Sequence, residues 1–395
     1  MRIALFSEVY WPMVSGVALT LRRLADALTA RGHGVRVYSA DYPVPPGETE
    51  RPEVHRSPGR QIFFCPDIRW AFTNRTEIAR DLRAFRPDVV HLATEFAMGF
   101  AGLRAAQELN IPVVASAHTD YERYAARYGF AWAVRPGWPY LRWFYRHAHR
   151  VLCPTGIYER FLHSRGVTHT GVWTRGVNTE EFSPRHRSEA FRLRAGAGPD
   201  DPIVAYVGRL APEKNLPLLL ESWAELHQRH PKARLVLVGE GLMENAIRQA
   251  QLPNVHMTGY VHGPALAEAY ASADIFAFPS TTETFGNVLI EAMSSGLASV
   301  AANAGGVPEF AHDGHNALLA APDDRASLMG CLDRLLSDVP LRRRLAEGAR
   351  VTALNRQWGA IYDRLLEDYS EAIDARRVRR AAYMEIGRAS CRERV

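Results

Sequence analysis

The chain has 395 residues, 47% of them hydrophobic and 23% charged, a length that suggests roughly two or three domains because single cores stop growing at about 250–300 residues. This composition fits a globular protein and excludes a disordered chain, a collagen-like repeat and a small disulfide scaffold. The formal net charge is +5, with 23 arginines against 16 acids in residues 1–180 (net +7) and a net −4 over 181–355. The basic excess therefore belongs to the first half, where it hints at partners rather than at fold.

In chain order, the first candidate strand is 2–6, an apolar run too short for the core of a signal peptide. Val17, Leu21, Leu24, Ala25 and Leu28 then fall on one helical face, and Gly32 ends that helix. Further strands are expected at 35–39, 89–92, 113–117 and 150–153. After the Gly/Pro-rich stretch 196–202 a second series follows at 203–207, 234–238, 255–258, 275–278 and 299–302. Short β-rich runs alternating with helical patterns predict parallel sheets with crossover helices. Two α/β units are expected, over 1–180 and 181–355, with a cleft between the carboxyl ends of their strands. Trp358, Ile361, Leu365, Leu366, Tyr369 and Ile373 predict one long amphipathic helix over 356–384. Residues 385–395 have no apolar periodicity and no cap. They resemble one reading frame of a sequencing adaptor and are expected to be a non-native tail, which sets Cys391 aside. Cys65, Cys153 and Cys331 form no C-x-x-C pair, so free thiols in a reducing, cytoplasmic location are expected. No run reaches the ~18 apolar residues that span a bilayer.

Four segments sit where strands hand over to helices. In 7–16, Gly16 precedes the first helix, where amides and the positive dipole end suit an anion; an ordinary βα turn explains the same glycine. His118 follows the strand at 113–117 and has a ring suited to hydrogen bonding or proton transfer at a cleft, or to capping a loop. Arg209 and Lys214 lie on a Gly/Pro loop before a helix expected over 216–226. Two cations there are poor dipole partners unless they bind phosphate, although a solvated surface pair is the plainer reading. All basic residues other than Lys214 and Lys232 are arginines. Finally, Glu283 lies before a helix placed from about Asn287, and Glu291 lies one turn inside it. That arrangement leaves the amides of Phe285, Gly286 and Asn287 as donors. A carboxylate beside them can accept from sugar hydroxyls, share a metal, or simply be a helix-start acid.

Gly16, His118, the Gly208-Arg209…Lys214 loop, Glu283 with Glu291, and Gly305-Gly306-Val307-Pro308-Glu309 occur in that order. Together they resemble the retaining glycosyltransferases of family four, over about residues 1–377. Residues 118–121 and 172–182 are similar to a subgroup of GDP-mannose-dependent α-mannosyltransferases and sulfoquinovosyl- and glucosyl-lipid synthases. The resemblance implies the α/β GT-B fold, two Rossmann-like doubly wound parallel-sheet domains facing a cleft, with the C-terminal helix crossing back to the first. It implies an N-terminal acceptor domain and a C-terminal nucleotide-sugar donor domain. It also implies that Arg209 and Lys214 bind the donor diphosphate, Glu283 holds sugar hydroxyls and Glu291 the ribose. The amides at 285–287 would support sugar or phosphate, Gly16 would admit the diphosphate, and His118 would contact the sugar near the reacting carbon. One departure is Ala298, where the family usually has proline.

Charge building on a leaving diphosphate calls for preorganised cations and helix amides. No Asp-x-Asp motif is present, the nearest approach being Asp120-Tyr121-Glu122. Activity is therefore expected without metal or cofactor, on a GDP- or UDP-linked sugar. The acceptor, a lipid or saccharide, is expected near Asp120, Tyr121, Tyr124 and Arg127. Ten aromatics with interleaved arginines between Tyr121 and Tyr145 suit docking on an anionic membrane, here the inner face of the plasma membrane, or else line the core or acceptor site. The competing readings are a nucleotide-sugar epimerase and a non-catalytic sugar-binding protein. Dispersed arginines with nearly as many acids argue against nucleic acid as a partner.

Overall fold

The protein is described by a computed structural model whose backbone covers residues 1–13, 15–44, 53–62, 65–127, 132 and 135–392. Its side chains are described up to Val378, except at 62, 65–67, 124 and 127. In the first half, β1 (Arg2–Ser7), β2 (Gly34–Ala40) and β3 (Glu53–Ser57) precede a hairpin of β4 (Gly59–Ile62) and β5 (Cys65–Ala71). β6 (Val89–Leu92), β7 (Val113–Ser116), β8 (Arg150–Cys153) and β9 (Thr170–Val172) follow. Apart from the hairpin they form one 7-stranded parallel sheet in the order β3-β2-β1-β6-β7-β8-β9.

The second half repeats the plan with β10 (Ile203–Val207), β11 (Arg234–Val238), β12 (Val255–Gly259), β13 (Ile275–Phe278), β14 (Ala298–Ala302) and β15 (Leu318–Ala320). They make a 6-stranded parallel sheet in the order β12-β11-β10-β13-β14-β15. Central strands buried on both faces read as continuous apolar runs, which is why β1, β6, β7, β10 and β13 were legible. Strand order reverses between β1 and β6 and again between β10 and β13, and such switch points are where doubly wound sheets open a ligand crevice. Helices cover both faces closely. A Cβ on Gly102, in the helix Ala97–Leu109, would stand 2.6 Å from the Phe6 ring.

The chain returns to the first lobe at its end. Val177 N donates to Arg356 O at 2.9 Å, and a Cβ on Gly176 would stand 2.8 Å from that same carbonyl. From Trp358 a helix packs Tyr362, Leu365, Tyr369 and Ala372 against Ile3, Leu5, Val114 and Leu152. It runs through Arg392 rather than ending near 384. The sequence reading also missed β3, the hairpin, β9 and β15. Cys153 and Cys331 are free thiols. Among the described residues no helix is long and apolar enough to cross a membrane.

Candidate active site

Two loops at the carboxyl edge of the second sheet bring opposite charges together. After β10, Pro212–Lys214 forms a 3-10 turn, and Asn215 at φ +57° leads into the helix Leu216–Arg229. Arg209 donates to Glu213 Oε1 at 2.6 Å, and Lys214 Nζ pairs with Glu283 Oε1. Each cation meets a carboxylate, and Asn215 separates Lys214 from the helix proper.

The loop carrying Glu283 is held by backbone contact. Gly306 N donates to Glu283 O at 2.8 Å. A Cβ on Gly305 would stand 2.1 Å from Glu283 O, and one on Gly306 2.1 Å from Thr284 O. Gly286, at φ +105°, then opens the helix Asn287–Ser294 with no side-chain cap, so no capping side chain satisfies its leading amides. The Phe285 ring stacks on Phe310 at 4.7 Å in the core, which leaves only its backbone for the cleft. Asn287 Oδ1 is buried without a hydrogen-bond partner. Its Nδ2 lies 3.7 Å from where a Cβ on Gly16 would stand. Gly16 is the first residue of the helix Gly16–Ala30, capped by Ser15, so helix N-termini from both lobes meet. Their dipoles add a positive field suited to an anion.

One turn further on, Glu291 Oε1 lies 3.5 Å from Arg23 NH1 of the first lobe, and Oε2 accepts from Tyr270 Oη at 3.2 Å. Burial pushes this carboxyl up, and Arg23 works against that shift. Other contacts cross the cleft nearby. Thr284 Oγ1 donates to His118 O at 2.8 Å, and Thr155 Oγ1 donates to Thr284 O at 3.2 Å. Glu309 Oε1 accepts from Gly156 N at 3.2 Å.

His118 is tied down by both ring nitrogens. Arg175 NH2 donates to Nδ1 at 2.9 Å, and Nε2 lies 2.7 Å from Ser116 Oγ. Because a guanidinium can only donate, Nδ1 is the acceptor and Nε2 carries the proton. Burial, reinforced by Arg175, holds the ring well below the usual histidine range. Of the two roles expected for the ring, hydrogen bonding is the one this arrangement uses, with the Nδ1 lone pair taken by Arg175. Arg175 is itself buried, which lowers it to about 10, and it lies over the Trp173 ring at 4.4 Å. The sequence reading assigned nothing to Arg175 or Arg23. A lone arginine beside Val172 and Trp173 was the available signal for the first, and nothing local marks the second.

On the acceptor side Asp120 and Tyr121 already have partners within the lobe. Asp120 Oδ1 accepts from Arg123 N at 3.1 Å, and Oδ2 pairs with Arg123 Nε at 3.3 Å, so this carboxylate caps its own helix, Tyr121–Arg127. Tyr121 Oη donates to Glu95 Oε2 at 2.5 Å. The side chains of Tyr124 and Arg127 lie outside the described residues. Among the described residues no three His, Cys, Asp or Glu are grouped to hold a metal ion.

Behind this wall, Glu8 Oε1 accepts from Met98 N at 2.5 Å and Oε2 accepts from Thr94 Oγ1. Burial nevertheless pushes its carboxyl up to about 7. The folded state thus holds a proton that the unfolded chain releases near pH 4.5, and stability falls as pH rises from there to about 7. Glu8→Gln should remove this slope and unfold at higher urea than the parent at pH 8, by a few kcal/mol at most. Urea titrations at pH 5 and pH 8 measure it, and an unchanged slope would count against it.

Known proteins match this chain throughout. The model described as Glycosyltransferase Family 4 covers residues 14–181, and that described as Glycosyl transferases group 1 covers 188–352. The GDP-mannose-dependent alpha-mannosyltransferase of Mycobacterium tuberculosis is 36% identical over 96% of this chain and 99% of its own. Sulfoquinovosyl transferase SQD2 of Arabidopsis thaliana is 34% identical over 94% of this chain and 74% of its own. Among solved structures, sucrose-phosphate synthase from Thermosynechococcus elongatus superposes with a TM-score of 0.78 at 21% identity, covering 95% and 99% of the two chains. With two Rossmann-like lobes and this cleft, the chain belongs to glycosyltransferase family four and is a GT-B hexosyltransferase that uses a nucleotide sugar.

Proposed function

We propose that the protein is a retaining, metal-independent transferase that moves mannose from GDP-mannose to a hydroxyl of a lipid or glycan. The observation that carries this reading is the Lys214–Glu283 pair beside two facing helix N-termini. Arg209 and Lys214 take the donor diphosphate and stabilise the charge that grows as it leaves, in place of a metal ion. The incoming diphosphate draws Lys214 from Glu283, whose carboxylate then accepts from sugar hydroxyls. Glu291 takes the ribose after giving up Arg23. The amides at 285–287 and the close backbone approach at Gly16 accommodate phosphate or sugar. His118, with neither nitrogen free, packs beside the reacting carbon rather than moving a proton. The leaving phosphate oxygen deprotonates the acceptor on the same face, which gives retention. The name of the mycobacterial relative supports GDP-mannose, while that of the plant relative supports sulfoquinovosyl transfer, with a UDP-linked sugar as the alternative donor.

A panel of GDP- and UDP-sugars, with and without acceptor, tests this in EDTA. GDP-mannose should turn over only with acceptor, and chelation should leave the rate unchanged. Lys214→Ala and Glu283→Ala should each lose on the order of 10²-fold in kcat/KM, as for removal of one transition-state contact. Parental activity in either variant removes the site assignment, and turnover without acceptor favours an epimerase.

For the acceptor side we propose a cytoplasmic enzyme docked on the inner face of the plasma membrane. The aromatic segment divides: Trp138, Phe144 and Tyr145 are core, whereas Trp132 and Tyr140 are exposed. Tyr140 joins Trp70, Phe72, Phe96 and Phe100 around a cavity of about 550 Å³. Arg104 lies over the Phe100 ring at 5.9 Å. Exposed rings beside arginines suit headgroup depth on an anionic leaflet. Co-sedimentation with phosphatidylglycerol vesicles should exceed that with phosphatidylcholine and fall several-fold in a Phe72→Ser, Trp132→Ser variant. Equal sedimentation with both lipids sinks the membrane reading.

A further inference from the structure

We infer that Tyr369, on the C-terminal helix, is a positioning residue that orients His118 through His91 and Ser116. The geometry is a continuous chain of hydrogen bonds. Tyr369 Oη lies 2.6 Å from His91 Nδ1, His91 Nε2 lies 2.7 Å from Ser116 Oγ, and Ser116 Oγ lies 2.7 Å from His118 Nε2. Arg175 closes the other end on His118 Nδ1 at 2.9 Å.

Arg175 gives the chain a direction. Its N–H occupies His118 Nδ1, so His118 Nε2–H donates to Ser116 Oγ. The Ser116 hydroxyl in turn donates its hydrogen bond to His91 Nε2, and His91 Nδ1–H donates to the Tyr369 oxygen. Both rings are neutral in this arrangement, and burial holds His91 down at about 3. The Trp173 ring meets both imidazoles nearly edge-on, at 5.6 and 5.7 Å.

Packing alone does not call for this construction. His91, Ser116 and Tyr369 are all at most 1% exposed, in a region otherwise filled by Leu5, Val114, Leu152 and Leu365. Apolar side chains there would avoid the cost of burying polar groups. What the polar chain adds is a fixed tautomer and a fixed ring plane for the one member that reaches the cleft. It also makes that ring depend on the docking of a helix from the far end of the sequence. The adjacent Asp368 anchors the same turn, accepting from Arg150 NH1 at 2.5 Å.

The inference rests on His118 facing the donor sugar, and the test separates the two. Steady-state kinetics on the full chain compare His118→Ala, Ser116→Ala, Tyr369→Phe and the Ser116→Ala, Tyr369→Phe double variant, with Tm measured for each. Tyr369→Phe and Ser116→Ala should each lower kcat about three- to tenfold with little change in donor KM, and the double variant should be no slower than Ser116→Ala alone. Once Ser116 is gone, Tyr369 has no route to His118, whereas a merely structural effect would multiply. Parental kcat in Tyr369→Phe, or a multiplicative double variant, overturns the inference and leaves the donor site standing. Parental activity in His118→Ala overturns the reading beneath it, and the inference with it. Imidazole nitrogen spectra of the unmodified protein give a readout free of folding effects. His118 should carry its proton on Nε2, and a proton on Nδ1 would contradict the chain.

Discussion

The segment between β13 and the helix at Asn287 is held so closely by Gly305 and Gly306 that neither position has room for a Cβ. That steric constraint fixes the carbonyls of Glu283 and Thr284, and much of the cleft is referred to them. The Glu283 carboxylate is aimed at Lys214, the Thr284 hydroxyl reaches the His118 carbonyl, and the Thr284 carbonyl receives Thr155. A loop that both lobes grip in this way is a rigid reference on which a site can be preorganised. It also explains why two glycines precede Val307, where turn geometry alone would ask for one.

Charge in the cleft is balanced internally before any ligand arrives. Arg209 faces Glu213, Lys214 faces Glu283 and Glu291 faces Arg23, and the last pair spans the lobes. Such pairs are partly desolvated, so breaking one without replacing it is costly. In the proposed mode a ligand carrying both a diphosphate and several hydroxyls replaces the Lys214–Glu283 and Glu291–Arg23 pairings at once, the phosphate serving Lys214 and the hydroxyls serving the carboxylates. A bare phosphate or a bare sugar can serve only one half. Selectivity for a nucleotide sugar thus follows from pairing the groups in advance.

The parallel sheets were readable because their central strands are unbroken apolar runs, and the residues at the strand ends were readable because each interrupts such a run. What failed to show lies at edges or across the fold. β3 is polar at every position but Val54 and lies at the sheet margin, and β9 and β15 are three residues each, below any useful period. The partners of the site residues were equally hidden. Nothing in the neighbourhood of Arg23 points to Glu291, and nothing near Asp120 shows that its carboxylate is spent on Arg123. His118 is the instructive case. Its position at a strand end was legible, but its tautomer is set by Arg175, which sits 57 residues away in sequence.

The central claim is that donor phosphate and Glu283 compete for Lys214. Calorimetric titration of GDP and of UDP into the parent and into Glu283→Gln measures that competition directly. The account predicts that the variant binds its cognate diphosphate several-fold more tightly than the parent while transferring sugar more slowly. Equal or weaker nucleotide binding in Glu283→Gln would contradict it.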